Sequence, residues 1–343
     1  MFLGIEIGGT KLQLGVGQGD GSPPQAVIRR QVGPQFGAAG ILHQIDSAAA
    51  ELLAQHPCQA IGIGFGGPVD RPQGRVFKSH QIAGWDQFEL AAWGRQVFQL
   101  PTVIANDCDA AALAEARFGA GRSHRSVFYV TVGTGVGGGF VVDGQLFGQD
   151  RPAIAEIGHL RPGLQADRTD QTVESIASGW GIVAETHARL AGEVSPAFEM
   201  LHRTSGPDDP TALRRRFAEA IDANQEYTDD LLLRCQNDPE KLTAKTIAAA
   251  AADGNEIARE VIDHACRALG WGIAQVTTLL SPDMVVIGGG VSLIGETLFF
   301  STVRHYAQLY GFPPLAGTCA IEPASLGELT VVHGALALAA ESV

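Results

Sequence analysis

The chain has 343 residues, a formal net charge of −13 at pH 7, 45% hydrophobic residues and 18% charged residues. This length is sufficient for two domains of ordinary size, and the composition is typical of a soluble globular protein with a large core. Because the charge is strongly negative and the only notable basic run is at residues 214–216, the sequence argues against nucleic-acid binding as the main role.

The sequence carries no targeting or membrane signal. Its first residues enter an apolar strand directly, without the basic segment and cleavage site of a secretory leader. No apolar run is long enough to span a bilayer. The five cysteines, at positions 58, 108, 235, 266 and 319, are scattered and odd in number, a pattern typical of reduced thiols. We therefore expect a cytoplasmic protein with no membrane partner.

The first predicted elements are two strands joined by a glycine bend. Residues 2–7 form the first strand, Gly8, Gly9, Thr10 and Lys11 form the bend, and alternating apolar residues follow along the second strand. Glycine permits positive φ and lets backbone N–H groups approach phosphate oxygens. One such bend is weak evidence, because a plain glycine hairpin has the same sequence.

The rest of the first half alternates strands and helices. The predicted elements are a strand at 26–32, a helix at 39–56, a strand at 61–65, a helix at 88–98, a strand at 102–105 and a helix at 110–118. This order indicates a mixed α/β fold whose first strands are antiparallel and whose later strands are parallel.

The second half opens with a similar unit. Residues 127–132 predict a buried strand, Gly133, Thr134 and Gly135 form a bend, and residues 140–142 continue the hairpin. The repetition predicts two similar halves that grip a polyphosphate between them. The later predicted elements are a helix at 173–190, helical stretches at 213–221 and 227–235 within a polar segment, a helix at 255–280, a strand at 284–287, a further helix, a strand at 318–321 and a helix at 328–340.

A polar pair follows the strand at residues 102–105. Asn106 and Asp107 stand where that strand ends and a helix begins, and ligands of open α/β sheets bind at the carboxyl ends of strands. An Asp at a helix N-terminus is also an ordinary N-cap, and Asp109 offers another. From the residues alone, Asp107 is either a ligand or a cap.

A second polar motif lies after the second hairpin. Glu156 and His159 are three residues apart, so they share one face if the segment is helical. The segment contains a glycine and follows a polar loop, which disfavours a core helix, and a ligand role and a structural role fit it equally well. Glu174 by itself indicates a first-turn glutamate favoured by the helix dipole.

Together these motifs resemble, in their order, the ROK family of sugar kinases and sugar-responsive repressors, and most of all its bacterial glucokinases. The matching segments are residues 1–11, 64–70, 104–107, 132–139, 156–159, 174–179 and 286–291. The resemblance covers nearly the whole chain except about residues 192–242, which look like an insertion.

The resemblance implies an α/β, actin-like (ribonuclease H-like) ATPase fold with two lobes and a central cleft. The small lobe would comprise residues 1–108 together with a C-terminal helix at about 325–343. The large lobe would comprise residues 109–324, with the insertion at about 192–242. We also expect a homodimer, although the sequence does not fix the oligomeric state.

The resemblance also implies the site. Asp107 would take the proton of the sugar's primary hydroxyl as that oxygen attacks the γ-phosphorus of ATP. The implied sugar ligands are Asn106, Asp107, Glu156, His159 and Glu174, with Gly67 a weaker match. The implied ATP ligands are Gly8, Gly9, Thr10, Lys11, Gly133, Thr134, Gly135 and Gly137, with Gly288, Gly289 and Gly290 against the adenosine. Mg²⁺ would neutralise the phosphate oxygens.

The sequence departs from the family pattern at two places. Glu6 stands where many members have Asp, and we expect it to face a magnesium-bound water. After His159 the family has a Cys-x-Cys-Gly-x-x-Gly-Cys zinc motif, but residues 160–173 contain no cysteine. We therefore expect no structural zinc, which leaves open how His159 and Glu174 are held.

The favoured function is ATP-dependent phosphorylation of a hexose, glucose first, at its 6-hydroxyl. Fructose or an N-acetylated hexosamine is the alternative substrate within the family. A sugar-sensing repressor would carry a helix-turn-helix domain before the first hairpin, which here begins at Phe2, and the acidic charge also disfavours it. A catalytically inactive binding module is disfavoured because Asp107 and both bends are intact.

Overall fold

The computed structural model describes residues 1–78, 82–148, 150–151, 153–164, 166–193 and 225–343. The helical stretch predicted at residues 213–221 lies outside these ranges. Within them, every helix is either too short or too polar to cross a bilayer.

The first half of the chain builds a five-stranded sheet. Its strands are β1 (Phe2–Ile7), β2 (Lys11–Gly17), β3 (Ala26–Gln31), β4 (Ile61–Phe65) and β7 (Thr102–Asn106), while β5 (Val69–Asp70) and β6 (Arg75–Val76) pair separately. The strand order is β3-β2-β1-β4-β7. The β1–β2–β3 pairings are antiparallel, and β1, β4 and β7 run parallel.

The second half repeats this plan. Its strands are β8 (Ser126–Val132), β9 (Val136–Val142), β10 (Gln145–Leu146), β11 (Met284–Gly288) and β12 (Ala320–Pro323). The order β10-β9-β8-β11-β12 again places an antiparallel hairpin beside parallel strands. The predicted repetition of one strand–bend–strand unit is therefore confirmed at the level of whole sheets.

Ten α-helices accompany the sheets in the described ranges. They are α1 (Gly37–Gln55), α2 (Leu90–Phe98), α3 (Asp107–Arg117), α4 (Val173–Ala177), α5 (Gly179–Leu190), α6 (Gln225–Arg234), α7 (Ala244–Ala252), α8 (Glu256–Leu280), α9 (Ser301–Tyr310) and α10 (Thr330–Glu341).

The prediction of one helix at residues 173–190 is wrong. The backbone of Ser178 is extended (φ −71°, ψ 164°), and this residue separates α4 from α5. The Ser178 hydroxyl accepts a hydrogen bond from the N–H of Gly181 (3.1 Å), so it caps the second helix. The short helix α7 was not predicted.

The two faces of the first sheet are chemically different because side chains alternate along each strand. One face is apolar and packs Ile5 and Leu14 against Ile45 of α1. The other face is rich in glycine and lies under α10. An added Cβ at Gly62 would lie 1.9 Å from the Ala335 carbonyl oxygen, so the helix backbone rests directly on the strands.

Two helices are exchanged between the halves of the chain. Helix α10 follows the second sheet in the chain but lies on the first, whereas α3 follows the first sheet but packs on the second. An added Cβ at Gly139 of β9 would lie 2.7 Å from Ala112 of α3. The two helices cross where an added Cβ at Gly334 would lie 1.8 Å from the Ala110 carbonyl oxygen.

A buried carboxylate fixes the connection into α10. Glu115 of α3 is fully buried and accepts hydrogen bonds from the backbone N–H groups of Ser325 (3.0 Å), Leu326 (2.9 Å) and Ala120 (2.9 Å). Because a buried carboxylate is stable only when its oxygens are paired, these bonds anchor the crossover at residues 325–326 to α3.

Candidate functional site

The start of α3 distinguishes the two roles considered for Asp107. Asn106 has an extended backbone, and its Oδ1 accepts the N–H groups of Cys108 (2.8 Å) and Asp109 (3.3 Å). Asn106 is therefore the N-cap, so the alternatives of Asp107 or Asp109 as the cap are wrong. This cap also starts α3 at Asp107, earlier than the predicted start at residue 110.

Asn106 also bonds directly to Gly67, another of the predicted sugar ligands. Its Nδ2 donates to the carbonyl oxygen of Gly67 (3.0 Å). Since Oδ1 already serves as the cap, one amide hydrogen of Asn106 remains for a further acceptor.

The Asp107 carboxyl group is half-buried and stands beside the first bend. Its Oδ1 accepts the N–H of Cys108 (2.9 Å). Burial, followed by the neighbouring Glu6 carboxylate, raises the pKa of Asp107 to about 6. Such a group is a stronger base than an ordinary aspartate and is still ionised at pH 7.

The first bend lies next to Asp107 through Gly66. The N–H of Gly8 donates to the Lys11 carbonyl oxygen (2.9 Å), and the N–H of Gly66 donates to the Ile7 carbonyl oxygen (2.8 Å). An added Cβ at Gly66 would lie 3.3 Å from Asp107 Oδ2 and 3.6 Å from the Gly8 Cα. A side chain at Gly66 would therefore fill the space between the bend and the carboxylate.

Glu6 is held by two partners on the neighbouring strand. Its Oε1 pairs with Lys11 Nζ (2.9 Å), and its Oε2 accepts a hydrogen bond from Gln13 Nε2 (2.7 Å). The side chain of Glu6 is 5% exposed and that of Lys11 is 48% exposed. Glu6 and Lys11 are among the site residues predicted from the sequence, whereas Gln13 is not.

His159 ends a 3₁₀ turn, Ile157–His159, and Glu156 is the N-cap residue of that turn, so the predicted helical spacing holds over a single turn. Ala155, just before it, has a positive φ of 60°, a conformation that costs energy for a residue other than glycine. Burial raises the pKa of Glu156, the neighbouring His159 opposes this rise, and Glu174 adds to it. These three predicted ligands are thus close neighbours.

Glu174 links this group to the second bend. Its Oε2 accepts the backbone N–H of Val136 (2.8 Å). An added Cβ at Gly135 would lie 2.5 Å from the same oxygen. A side chain at Gly135 would therefore displace the Glu174 carboxylate, while Thr134 is exposed at the tip of the bend.

The second bend faces the glycine segment after β11. The Gly133 carbonyl oxygen accepts the N–H of Gly179 (2.8 Å), and an added Cβ at Gly133 would lie 4.0 Å from the Gly290 nitrogen. Gly290 itself has open space where a Cβ would be. The two glycine segments assigned to ATP are therefore neighbours.

Three other predicted ATP ligands have packing reasons to be glycine. An added Cβ at Gly288 would lie 2.4 Å from the Tyr129 hydroxyl, and one at Gly289 would lie 2.4 Å from the Val132 carbonyl oxygen. An added Cβ at Gly137 would lie 2.5 Å from Cys108 Sγ. Gly137 lies within β9, outside the bend. Its role toward ATP stays a prediction.

The segment that replaces the zinc motif is closed by backbone and apolar contacts. The N–H of Val173 donates to the Leu160 carbonyl oxygen (2.8 Å), which joins the two ends of the loop. Between them, Ala166 is buried against Ile176 and Ala268. Across the described ranges, no group of three or more His, Cys, Asp or Glu side chains is placed to hold a metal ion.

The same segment positions Glu174. Thr172 and Ser175 form a capping box at the start of α4, in which each side chain bonds the other residue's backbone N–H (3.2 and 3.0 Å). Glu174 lies between them, so the capping box fixes its backbone.

Asp109 is a further acidic group of the site that the sequence analysis treated only as a possible cap. Burial raises its pKa to about 7, against the opposing charge of Arg71, and Glu156 and Asp107 contribute to the rise. The start of α3 and the Glu156 turn therefore share one electrostatic environment.

Searches against known proteins find relatives along the whole chain. A glucokinase of Thermotoga maritima is 28% identical over 100% of this chain and 98% of its own. A xylose repressor of Caldicellulosiruptor bescii is 24% identical and matches 87% of this chain and 67% of its own.

The structure is similar to that of a ROK family glucokinase from Streptomyces griseus in complex with glucose and AMPPNP. The TM-score is 0.78, the identity is 28%, and 99% of each chain is covered. This likeness and the two repeated sheets confirm the predicted actin-like, ribonuclease H-like fold. The model of the ROK family matches residues 2–342, and the chain therefore belongs to the ROK family.

Proposed function

We propose that this protein is an ATP-dependent hexose kinase that transfers the γ-phosphoryl group of ATP to the 6-hydroxyl of glucose. The observation that carries the proposal is the arrangement around Asp107. This carboxylate is not the helix cap, its pKa is raised to about 6, and it stands between a glycine bend and a group of polar side chains. The similarity to glucokinases supports the choice of glucose.

In this proposal Asp107 is the general base. It takes the proton of the 6-hydroxyl while that oxygen bonds to the γ-phosphorus and the bond from phosphorus to the leaving ADP oxygen breaks. Glu156, His159 and Glu174 would bind the remaining sugar hydroxyls, because carboxylates and imidazole accept hydrogen bonds from hydroxyl groups. A site that pairs each hydroxyl discriminates against sugars lacking one.

The two bends would hold the phosphates of ATP through their backbone N–H groups, and the open surface at Gly290 would lie against the adenosine. Mg²⁺ prefers oxygen ligands and commonly binds one or two carboxylates together with phosphates. Glu6 is a buried carboxylate paired with Lys11 of the first bend, so it fits as an acceptor for a water bound to this ion. Bound there, Mg²⁺ would supply charge neutralisation for the phosphate oxygens.

We also propose that the lobes divide as the sequence analysis expected, with residues 1–108 and a C-terminal helix at about 325–343 in the small lobe. The exchange of α3 and α10 supports this division, because each helix packs on the other half's sheet. The site residues would then line the cleft between the lobes.

The direct test is a coupled assay of ADP release over a panel of hexoses. We expect glucose to give the highest kcat/KM, followed at a distance by fructose and N-acetylated hexosamines. A higher value for either alternative would change the assigned substrate. Absence of sugar-dependent ADP release with every hexose would contradict the kinase assignment.

The raised pKa of Asp107 predicts an acid limb in the rate profile. The ionised form is the active base, so kcat/KM for glucose should be constant above the pKa and fall about tenfold per pH unit below about 6. Steady-state rates between pH 4.5 and 8.5 measure this limb. Asp109→Asn serves as the control and should keep it, whereas a profile flat down to pH 5 would contradict the assignment of Asp107.

The closure of residues 160–173 without metal predicts independence from zinc. We expect the purified protein to contain no stoichiometric zinc, and a strong chelator to leave activity unchanged once excess Mg²⁺ is restored. Elemental analysis and rates before and after chelation test both statements. One zinc per chain would overturn the first, and activity regained only with Zn²⁺ would overturn the second.

A further inference from the structure

A polar row crosses the glycine-rich face of the first sheet. Glu6 of β1 stands directly opposite Gln13 of β2, and Gln13 stands directly opposite Arg29 of β3. Directly opposite residues project from the same face of a sheet. The row therefore lies on the side that carries α10, at the end of the strands next to the first bend.

Gln13 occupies the centre of this row and uses both ends of its amide. Nε2 donates to Glu6 Oε2 (2.7 Å) and to the Glu328 carbonyl oxygen (2.9 Å), and Oε1 accepts from Arg29 Nε (2.9 Å). The side chain is only 2% exposed. A buried glutamine with both amide hydrogens engaged has one orientation, so its contact with Glu6 is fixed.

The two oxygens of Glu6 are consequently held in different ways. Oε2 is held by buried Gln13, whereas Oε1 is held by Lys11, whose side chain is about half exposed. Ion pairs with exposed lysines are weak and exchange readily with solvent. An arriving anion can draw the Lys11 ammonium group away from Glu6. Oε1 of Glu6 then loses this partner, while Oε2 keeps its bond to Gln13.

We propose that Gln13 is a positioning residue that fixes Glu6 by Oε2 and so directs Oε1 toward the magnesium–nucleotide complex. The inference rests on the proposed function. The longer reach of glutamate, compared with the aspartate common in the family, is thereby constrained by a partner on the next strand. The bond from Gln13 to Glu328 also ties Glu6 to the crossover into α10.

The test compares Gln13→Met with Thr102→Val. Methionine keeps the length and volume of glutamine but has no amide. Thr102 is 3% exposed, lies in the edge strand β7 of the same sheet, and donates to the Leu100 carbonyl oxygen (3.1 Å). Thr102→Val therefore removes a partly buried hydrogen bond away from the site. Calorimetry measures binding of AMPPNP with Mg²⁺, of AMPPNP with EDTA, and of glucose.

We expect Gln13→Met to weaken binding of Mg²⁺–AMPPNP about tenfold, as for loss of a buried hydrogen bond to a charged group. Binding of glucose and of metal-free AMPPNP should change by less than about threefold, and Thr102→Val should change none of the three. Equal weakening with and without Mg²⁺, or no weakening at all, would overturn the role of Gln13. Failure of the unsubstituted protein to bind Mg²⁺–AMPPNP would instead overturn the proposed function, and this inference with it.

Discussion

Asp107→Asn is expected to abolish phosphoryl transfer while glucose still binds. Asparagine is nearly isosteric but cannot accept the proton of the 6-hydroxyl. Removing a general base typically lowers the rate by about 10²–10⁴-fold, and a base that also positions the hydroxyl costs more. The measurement is kcat by coupled ADP release, together with the dissociation constant for glucose by calorimetry.

The helix cap supplies the control for this experiment. Because Asn106 carries the capping bonds to Cys108 and Asp109, and a neutral amide removes the repulsion from Glu6, Asp107→Asn should leave thermal stability unchanged or raise it. A variant that retains near-normal kcat would show that Asp107 is not the base. A variant that loses activity only because it unfolds would lower the melting temperature in parallel, and circular dichroism separates the two cases.

Gly334→Ala is expected to be the most destabilising of the small substitutions in α10. The new Cβ would lie 1.8 Å from the Ala110 carbonyl oxygen, so α10 and α3 would have to separate. Overpacking of this kind costs about 3 kcal/mol, more than the roughly 1 kcal/mol that alanine gains over glycine in a helix. Because α3 begins with Asp107, we expect kcat to fall as well.

Gly272→Ala in α8 is the matched control. Gly272 is also a buried helical glycine, but the nearest atoms to an added Cβ there are at 3.4 Å, on the flexible side chains of Ile157 and Val173. We expect the melting temperature of this variant to stay constant or rise, and that of Gly334→Ala to fall by roughly 5 °C. Equal melting temperatures would mean that the helix crossing adapts without cost.

The sequence predicted the longer strands well because each has a strong local signal, whereas the two-residue strands β5, β6 and β10 were not predicted. The run at residues 61–65 matches β4 in full, and the repeated hairpins led directly to the repeated sheets. The residues grouped by the family motifs also come together, since Asn106 bonds to Gly67 and Glu174 contacts the second bend. Order along the chain was informative there because each motif ends a strand or begins a helix.

The features that the sequence analysis missed depend on pairing between distant segments. Gln13 alternates with apolar residues in β2, which marks it as polar on a buried face, but only the strand register places it opposite Glu6. In sequence, Glu115 is one more charge in an alanine-rich helix, and its partners Ser325 and Leu326 lie about 210 residues later. The glycines of β2 and β4 alternate with apolar residues along each strand, but only the position of α10 explains why that face must be glycine.

The position of α10 also affects the order in which the chain can fold during synthesis. The strands that it covers, β1 and β4, leave the ribosome early, whereas residues 330–341 of α10 come at the end of the described chain. Domains usually fold in the order in which they are made. Here the glycine-rich face of the first sheet stays uncovered until the second sheet has been synthesised. The sheet that is made first is therefore the last to be completed.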